Sequence, residues 1–179
     1  IETSFWEFCD LYVELVKTRA YKQKESAAGL SALATLEWTL QNFLQLFAPV
    51  LPYITEEVWS WHYAEKNGEA SIHTSSWPTP IELAKIEISA TNNEADLIGL
   101  TKEIMNAVRG EKSKAQKNLR WPVETISVCG EKPNLEKLKL VEEDLIQSCS
   151  LKNSIEYQEG QKAEDGHFSI TVTLAETND

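Results

Sequence analysis

Residues 43–59 read Phe43-Leu44-Gln45-Leu46-Phe47-Ala48-Pro49-Val50-Leu51-Pro52-Tyr53-Ile54-Thr55-Glu56-Glu57-Val58-Trp59. The stretch is apolar on both sides of two prolines. Proline lacks the backbone N–H that a helix interior needs, and it pushes the residue before it out of helical geometry. A helix arriving through Phe43, Leu44 and Phe47 therefore ends near Ala48. Thr55 is the expected cap of the next helix, with Glu56 and Glu57 in a first turn where the helix dipole favours negative charge. Ile54, Val58 and Trp61 form its expected apolar side. Helix, proline corner, helix is the unit of an antiparallel bundle.

The pattern extends in both directions. Upstream, Leu33, Leu36 and Leu40 continue the stripe of the arriving helix. Phe5, Phe8, Cys9, Tyr12 and Val16 recur at three- and four-residue spacing and predict an earlier helix, from Ser4 as cap to about Lys24. Downstream, Gly68, the polar run to Ser76, and the prolines Pro78 and Pro80 make a connection. Asn92 or Asn93 is the expected cap of a fourth helix that carries Leu97, Ile98, Ile104, Met105 and Val108 to about Lys114. From Trp121 the period changes. Ile126 and Val128 alternate with polar residues. Pro133 opens a helix with Leu135, Leu138 and Leu145 on its apolar edge. Ile155 and Tyr157 alternate again, and residues 168–174 run at a clean period of two, which leaves Ser169, Thr171 and Thr173 facing water. The expected fold is mainly α with a small α/β part: an antiparallel helical bundle over residues 1–120, then a strand-helix-strand-strand subdomain over 121–179.

Composition narrows the function. The 179 residues carry 17 Lys+Arg against 28 Asp+Glu, a formal net charge of −11. That balance argues against a protein that grips nucleic acid over its whole surface, and leaves room for a local basic patch. No apolar run approaches the ~20 residues of a membrane span, so no membrane partner is expected. Cys9, Cys129 and Cys149 are odd in number and widely spaced. They exclude a disulfide framework and a Cys-x-x-Cys zinc site, and they suit a reducing, cytoplasmic compartment. The chain has no Gly-x-Gly-x-x-Gly, no Walker loop and no cluster with metal-ligand spacing. Neither a catalytic residue nor a metal ligand is expected. The chain opens at Ile1 and runs at once into an amphipathic stretch, as expected of a piece of a longer protein, with a short chain processed at its N-terminus the alternative.

One segment stands against the acidic background. Between residues 102 and 120, Lys102, Arg109, Lys112, Lys114, Lys117 and Arg120 face only Glu103 and Glu111. Lys102 and Arg109 are seven apart and share a helix face, where a lysine meets phosphate as a point charge and an arginine as a fork. A smaller group, Lys17, Arg19, Lys22 and Lys24, ends the first helix. There the cations also suit the C-terminal dipole. Trp59 and Trp61 are two apart on a helix and point about 200° apart, so both cannot face one core. The exposed one offers a plane on which an unpaired base can stack, and Phe5 and Trp6 pose the same question.

Two stretches carry a family resemblance. Residues 5–14, Phe5-Trp6-Glu7-Phe8-Cys9-Asp10-Leu11-Tyr12-Val13-Glu14, resemble the first helix of the anticodon-binding domain of class I aminoacyl-tRNA synthetases. Residues 43–59 are similar to that family's helix–proline–helix segment ending in Thr-Glu-Glu-x-Trp, and residues 71–78 to the segment that follows. The valine-specific members are the nearest in pattern, ahead of the leucine and isoleucine ones. The resemblance covers about residues 4–123. It implies a non-catalytic, cytoplasmic domain that binds the anticodon stem-loop of a tRNA, valine-specific in expectation. That domain positions the tRNA for catalytic and editing domains of the parent chain. Any ATP and magnesium belong to that parent, and this piece holds no cofactor. Lys17, Arg19, Lys102, Arg109, Lys112 and Lys117 are then the expected phosphate contacts, and Trp6 and Trp61 the expected stacking positions. The alternative is a protein-interaction module that docks other domains without contacting RNA.

Overall fold

The computed structural model describes residues 2–79, 97–160 and 166–177. The first rod is α1 (Glu2–Glu7), a π-helical segment (Phe8–Tyr12) and α2 (Val13–Lys22) in succession. The Val13 N–H reaches back five residues to the Phe8 carbonyl, which makes the wide turn. Ser4 lies inside α1 and does not cap it, because the chain is already helical at Glu2. Ser26 caps α3 (Ala27–Phe47), its hydroxyl accepting the Gly29 N–H at 3.0 Å. Gly29 is required there: a Cβ would stand 1.9 Å from the Gln23 carbonyl oxygen.

The helix α3 ends at Phe47, where the prolines dictate. The next helix, α4 (Pro52–Asn67), starts on Pro52 itself, ahead of the expected cap. Proline at the first helical position loses nothing, since that N–H has no intrahelical partner. Thr55 is buried within the helix and its hydroxyl donates to the Leu51 carbonyl at 2.8 Å. The buried face of α4 is Thr55, Trp59 and Tyr63; of the expected side, Ile54 and Trp61 are exposed and only Val58 packs, half-buried, against the second cluster. The two large rings win the core because their polar tips find acceptors. The Trp59 indole N–H donates to the Glu69 carbonyl and the Tyr63 hydroxyl to the Glu37 carbonyl, both at 2.9 Å. Glu56 and Glu57 sit beyond the first turn as a result. The Glu56 carboxylate accepts the Ser71 hydroxyl and the Ile72 N–H, which holds a short 3-10 turn (Ile72–Thr74) against α4.

These helices alternate in direction. Phe5 at the start of the rod packs edge-on against Phe43 and Phe47 at the end of α3, with ring centroids 5.4 and 5.3 Å apart. The fourth long helix, α5 (Leu97–Lys114), ends where expected; its expected caps Asn92 and Asn93, and Pro80, lie outside the described residues. It runs in the same sense as the first rod, for Lys102 pairs with Glu7 at 2.7 Å and Arg109 donates to the Asp10 carbonyl.

The rest is β1 (Val123–Gly130), α6 (Lys132–Lys139), α7 (Glu142–Cys149), β2 (Ile155–Glu159) and β3 (Phe168–Leu174). The sheet order is β2-β1-β3, with β2 parallel and β3 antiparallel to β1. The single helix expected between the first two strands is two, because Leu140 and Val141 turn through tighter bonds to the Lys137 and Leu138 carbonyls. Ser169, Thr171 and Thr173 face outward as the alternation required. Leu11 and Leu15 of the rod share one core cluster with Ile104 and Val108 of α5, Ile126 and Val128 of β1, and Leu138 and Leu145. That core runs across residues 120 and 121. A second cluster joins Leu44, Ala48, Trp59, Tyr63 and Ile72.

Candidate nucleic-acid interface

The site begins where α5 stops. The Lys117 N–H returns to the Lys112 carbonyl at 2.8 Å and the Gln116 N–H to that of Ser113 at 3.0 Å. Gln116 takes φ 55°. Together these are the two bonds and the left-handed residue of a Schellman cap. The chain then folds over Lys112, which is 1% exposed. Its ammonium donates to the carbonyls of Leu119 and Cys149, each at 2.9 Å. Burial pulls the Lys112 ammonium below its ordinary value, and the neighbouring Cys149 sulfur partly offsets this.

Above this lysine lies a cleft of about 590 Å³, between α2, α5, the end of α7 and the turn after α5. Lys17 and Lys22 line it from α2, Arg109 from α5 and Arg120 from the turn, with Glu14 the one carboxylate among the lining residues. Met105, Val108 and Leu119 give it apolar surface, and Gln147, Ser148 and Ser150 add neutral polar groups. Tyr21 stands at its edge, 77% exposed. Two basic runs some ninety residues apart in sequence thus converge on one concavity of a chain whose net charge is −11. Such a concavity concentrates positive potential and attracts phosphate.

The expected contacts distribute unevenly around it. Lys17 and Arg109 line the cleft; Lys17 also pairs with Glu14 at 3.3 Å, and Arg109 commits one of its five N–H donors to Asp10. Lys112 lies beneath, with its ammonium turned to carbonyls and its surface covered, so it meets no phosphate directly. Arg19 is not among the lining residues. Its guanidinium pairs with Asp144 at 2.8 Å, a carboxylate only 8% exposed, which burial pushes above its ordinary value while Arg19 pulls it back. Asp144 is therefore turned inward, although it shares the acidic first turn of α7 with Glu142 and Glu143.

Lys102 shares the face of Arg109 but stands away from the cleft, in a half-exposed pair with Glu7. Lys117 lies 3.8 Å above the Trp121 ring. Trp6 and Trp61 are 54% and 69% exposed, and neither lines the cleft. Trp6 stands against Phe5, and the Trp61 N–H donates to the Glu57 carboxylate at 3.1 Å. Trp59 lies inside and Trp61 outside, which agrees with a spacing that keeps both from facing one core but reverses the expected apolar side. Tyr21 was missed, although its position one turn beyond Lys17 on a basic helix end carried the signal. Among the described residues, no group of three or more His, Cys, Asp or Glu could hold a metal ion, and no helix is long and apolar enough to cross a membrane.

A helical bundle joined to a small α/β unit, with a cation-lined cleft at their junction, defines a class of helical docking domains. Within that class the chain belongs to the anticodon-binding domain family of tRNA ligases, whose model matches residues 1–127. It is similar to the valine--tRNA ligase of Salinispora tropica, 39% identical over 155 residues, which is 80% of this chain and 17% of the relative. It is likewise similar to those of Cutibacterium acnes, 41% identical over 80% of this chain and 16% of the relative, and Thermobifida fusca, 38% over 80% and 15%. The chain thus spans less than a fifth of the length of these curated relatives.

Proposed function

We propose that this chain is the part of a cytoplasmic valine--tRNA ligase that holds the anticodon stem-loop of a valine tRNA, and that it does so without chemistry of its own. Valine activation, with its ATP and magnesium, and editing fall to other parts of the protein. The observation that supports this reading is the convergence of Lys17, Lys22, Arg109 and Arg120 on one cleft. Their charges neutralise phosphates and fix orientation, while base identity is read by aromatic planes and polar groups at unpaired bases. Tyr21 beside the cleft, and Trp6 and Trp61 farther off, are exposed rings suited to that role. The half-exposed Lys102–Glu7 pair contributes little to stability, so Lys102 can exchange its carboxylate for a phosphate at small cost.

A fluorescence titration of the chain with an anticodon stem-loop RNA tests this, with a swapped-anticodon loop as control. Binding that weakens with salt and with the swap is expected. Binding indifferent to the swap would limit the role to phosphate docking, and absence of binding at low salt would remove it.

A second reading has its own observation. Val50, Leu51, Tyr53 and Ile54, around the proline corner, are 75%, 49%, 91% and 55% exposed. An apolar surface of this kind suits contact with another protein domain, such as the catalytic or editing part of the parent.

A further inference from the structure

We infer that Lys112 is a positioning residue for the cleft: its buried ammonium fixes the turn that carries Leu119 and Arg120, and so aims the Arg120 guanidinium at RNA phosphate. The inference rests on the reading of the cleft as an RNA site. Lys112 is the one cation of the lining set that has no free surface, at 1% exposed. A lysine buried to that degree would be replaced by a methionine of similar length if only volume mattered, since Met105 and Val108 beside it are apolar. What a hydrocarbon cannot supply is the pair of N–H donors aimed at Leu119 and Cys149.

These two carbonyls belong to different parts of the fold. Leu119 precedes Arg120 in the turn, and Cys149 closes α7, where unpaired helix carbonyls favour a cation. The ammonium thus ties the turn to the end of α7. Few other bonds hold the turn: the Arg120 N–H reaches the Asn118 side-chain oxygen and the Trp121 N–H the Asn118 carbonyl, both at 3.0 Å and both within the turn itself. Beyond it the Trp121 indole donates to the Ala175 carbonyl at 2.9 Å. Arg120 lies between the Lys112 tie and the Trp121 tie, and the first of these is the one that faces the cleft.

The test uses the whole chain with an anticodon stem-loop RNA, in four forms: unaltered, Lys112→Met, Arg120→Ala and both together. Positioning through Arg120 predicts that Lys112→Met weakens binding roughly five- to tenfold and reduces the salt slope by about one phosphate. Arg120→Ala then adds no further loss on top of it. Lys112→Arg, which can still bridge two carbonyls, restores affinity and slope. In the free chain Lys112→Met speeds amide exchange at Arg120 and Trp121 while the amides of α5 keep their protection. Losses that multiply independently, or unchanged exchange at those two amides, overturn the inference. If Lys112→Met does not fold, Lys112→Leu, likewise without a donor, carries the same comparison. Arg109→Ala separates the two readings. Should it weaken binding while Lys112→Met does not, the inference alone fails; should Arg109→Ala and Arg120→Ala both leave affinity unchanged, the cleft reading fails and takes the inference with it.

Discussion

Individual polar groups in this chain are placed by where their partners lie, and the partners are often distant in sequence. The Glu37 carboxylate accepts from Lys66 and from His62 across the α3–α4 contact, and these bonds hold its carboxyl below its ordinary value of 4.5. A carboxyl that releases its proton more readily when folded stabilises the fold fully above its unfolded pKa. That contribution is lost as pH falls through the lower folded value. Glu37→Gln is therefore expected to lower stability at pH 7 and to flatten its decline on acidification. Urea denaturation from pH 7 to pH 3 checks both. Tyr63, buried beneath the same carboxylate, is pushed up to about 12, chiefly by desolvation and then by the Glu37 charge. At Gln116 the backbone itself is the issue. A left-handed conformation costs a residue with a Cβ about 1 kcal/mol or more, and glycine adopts it freely. Gln116→Gly is expected to stabilise the chain by roughly 0.5–1 kcal/mol after the entropy of the unfolded glycine is allowed for, read as a rise in the urea midpoint.

At the scale of elements, most helix ends and the facing of β3 were legible, and the facing of α4 was not. The ends of α3 and α5, and the alternation of β3, followed from prolines and periodicity, which act locally. The buried face of α4 did not follow. Its two candidate stripes, Ile54–Val58–Trp61 and Thr55–Trp59–Tyr63, are both apolar enough to bury. The choice was made by the Glu69 and Glu37 carbonyls that satisfy the Trp59 and Tyr63 tips. The break between α6 and α7 was equally hidden, since no proline or glycine marks Leu140 and Val141. The consequence for α4 is measurable. Trp59→Ala removes a fully buried ring and is expected to cost roughly 3–5 kcal/mol, whereas Trp61→Ala is expected to stay within about 0.5 kcal/mol. Equal losses in urea denaturation would mean that the two faces are assigned wrongly.

Across the whole molecule, the charge pattern of the sequence separated into three uses that only tertiary contact could distinguish. Lys17, Lys22, Arg109 and Arg120 line the cleft. Lys112 serves the fold beneath them, and Arg19 joins α2 to α7 through Asp144 while Gln23 bonds Glu143 nearby at 3.0 Å. The sequence named both basic runs, because local net charge is a one-dimensional property. It did not show that they meet, nor that two of the expected contacts turn inward, because those outcomes depend on α7. Arg19→Ala is accordingly expected to lower stability by roughly 1–3 kcal/mol, by leaving a buried carboxylate without its partner, and to leave the salt slope of RNA binding unchanged.

The most direct measurement of the central claim is the RNA affinity of two variants that remove equal charge from different places. One replaces Lys17, Lys22, Arg109 and Arg120 by glutamine; the other replaces Lys66, Lys132, Lys137 and Lys139, which do not line the cleft. Affinity for the anticodon stem-loop is followed against salt. A cleft that holds phosphate predicts that the first variant loses most of its affinity and flattens the slope by about three to four contacts, while the second changes little. Equal losses from both variants would show that general charge governs binding, and would contradict the assignment of this cleft.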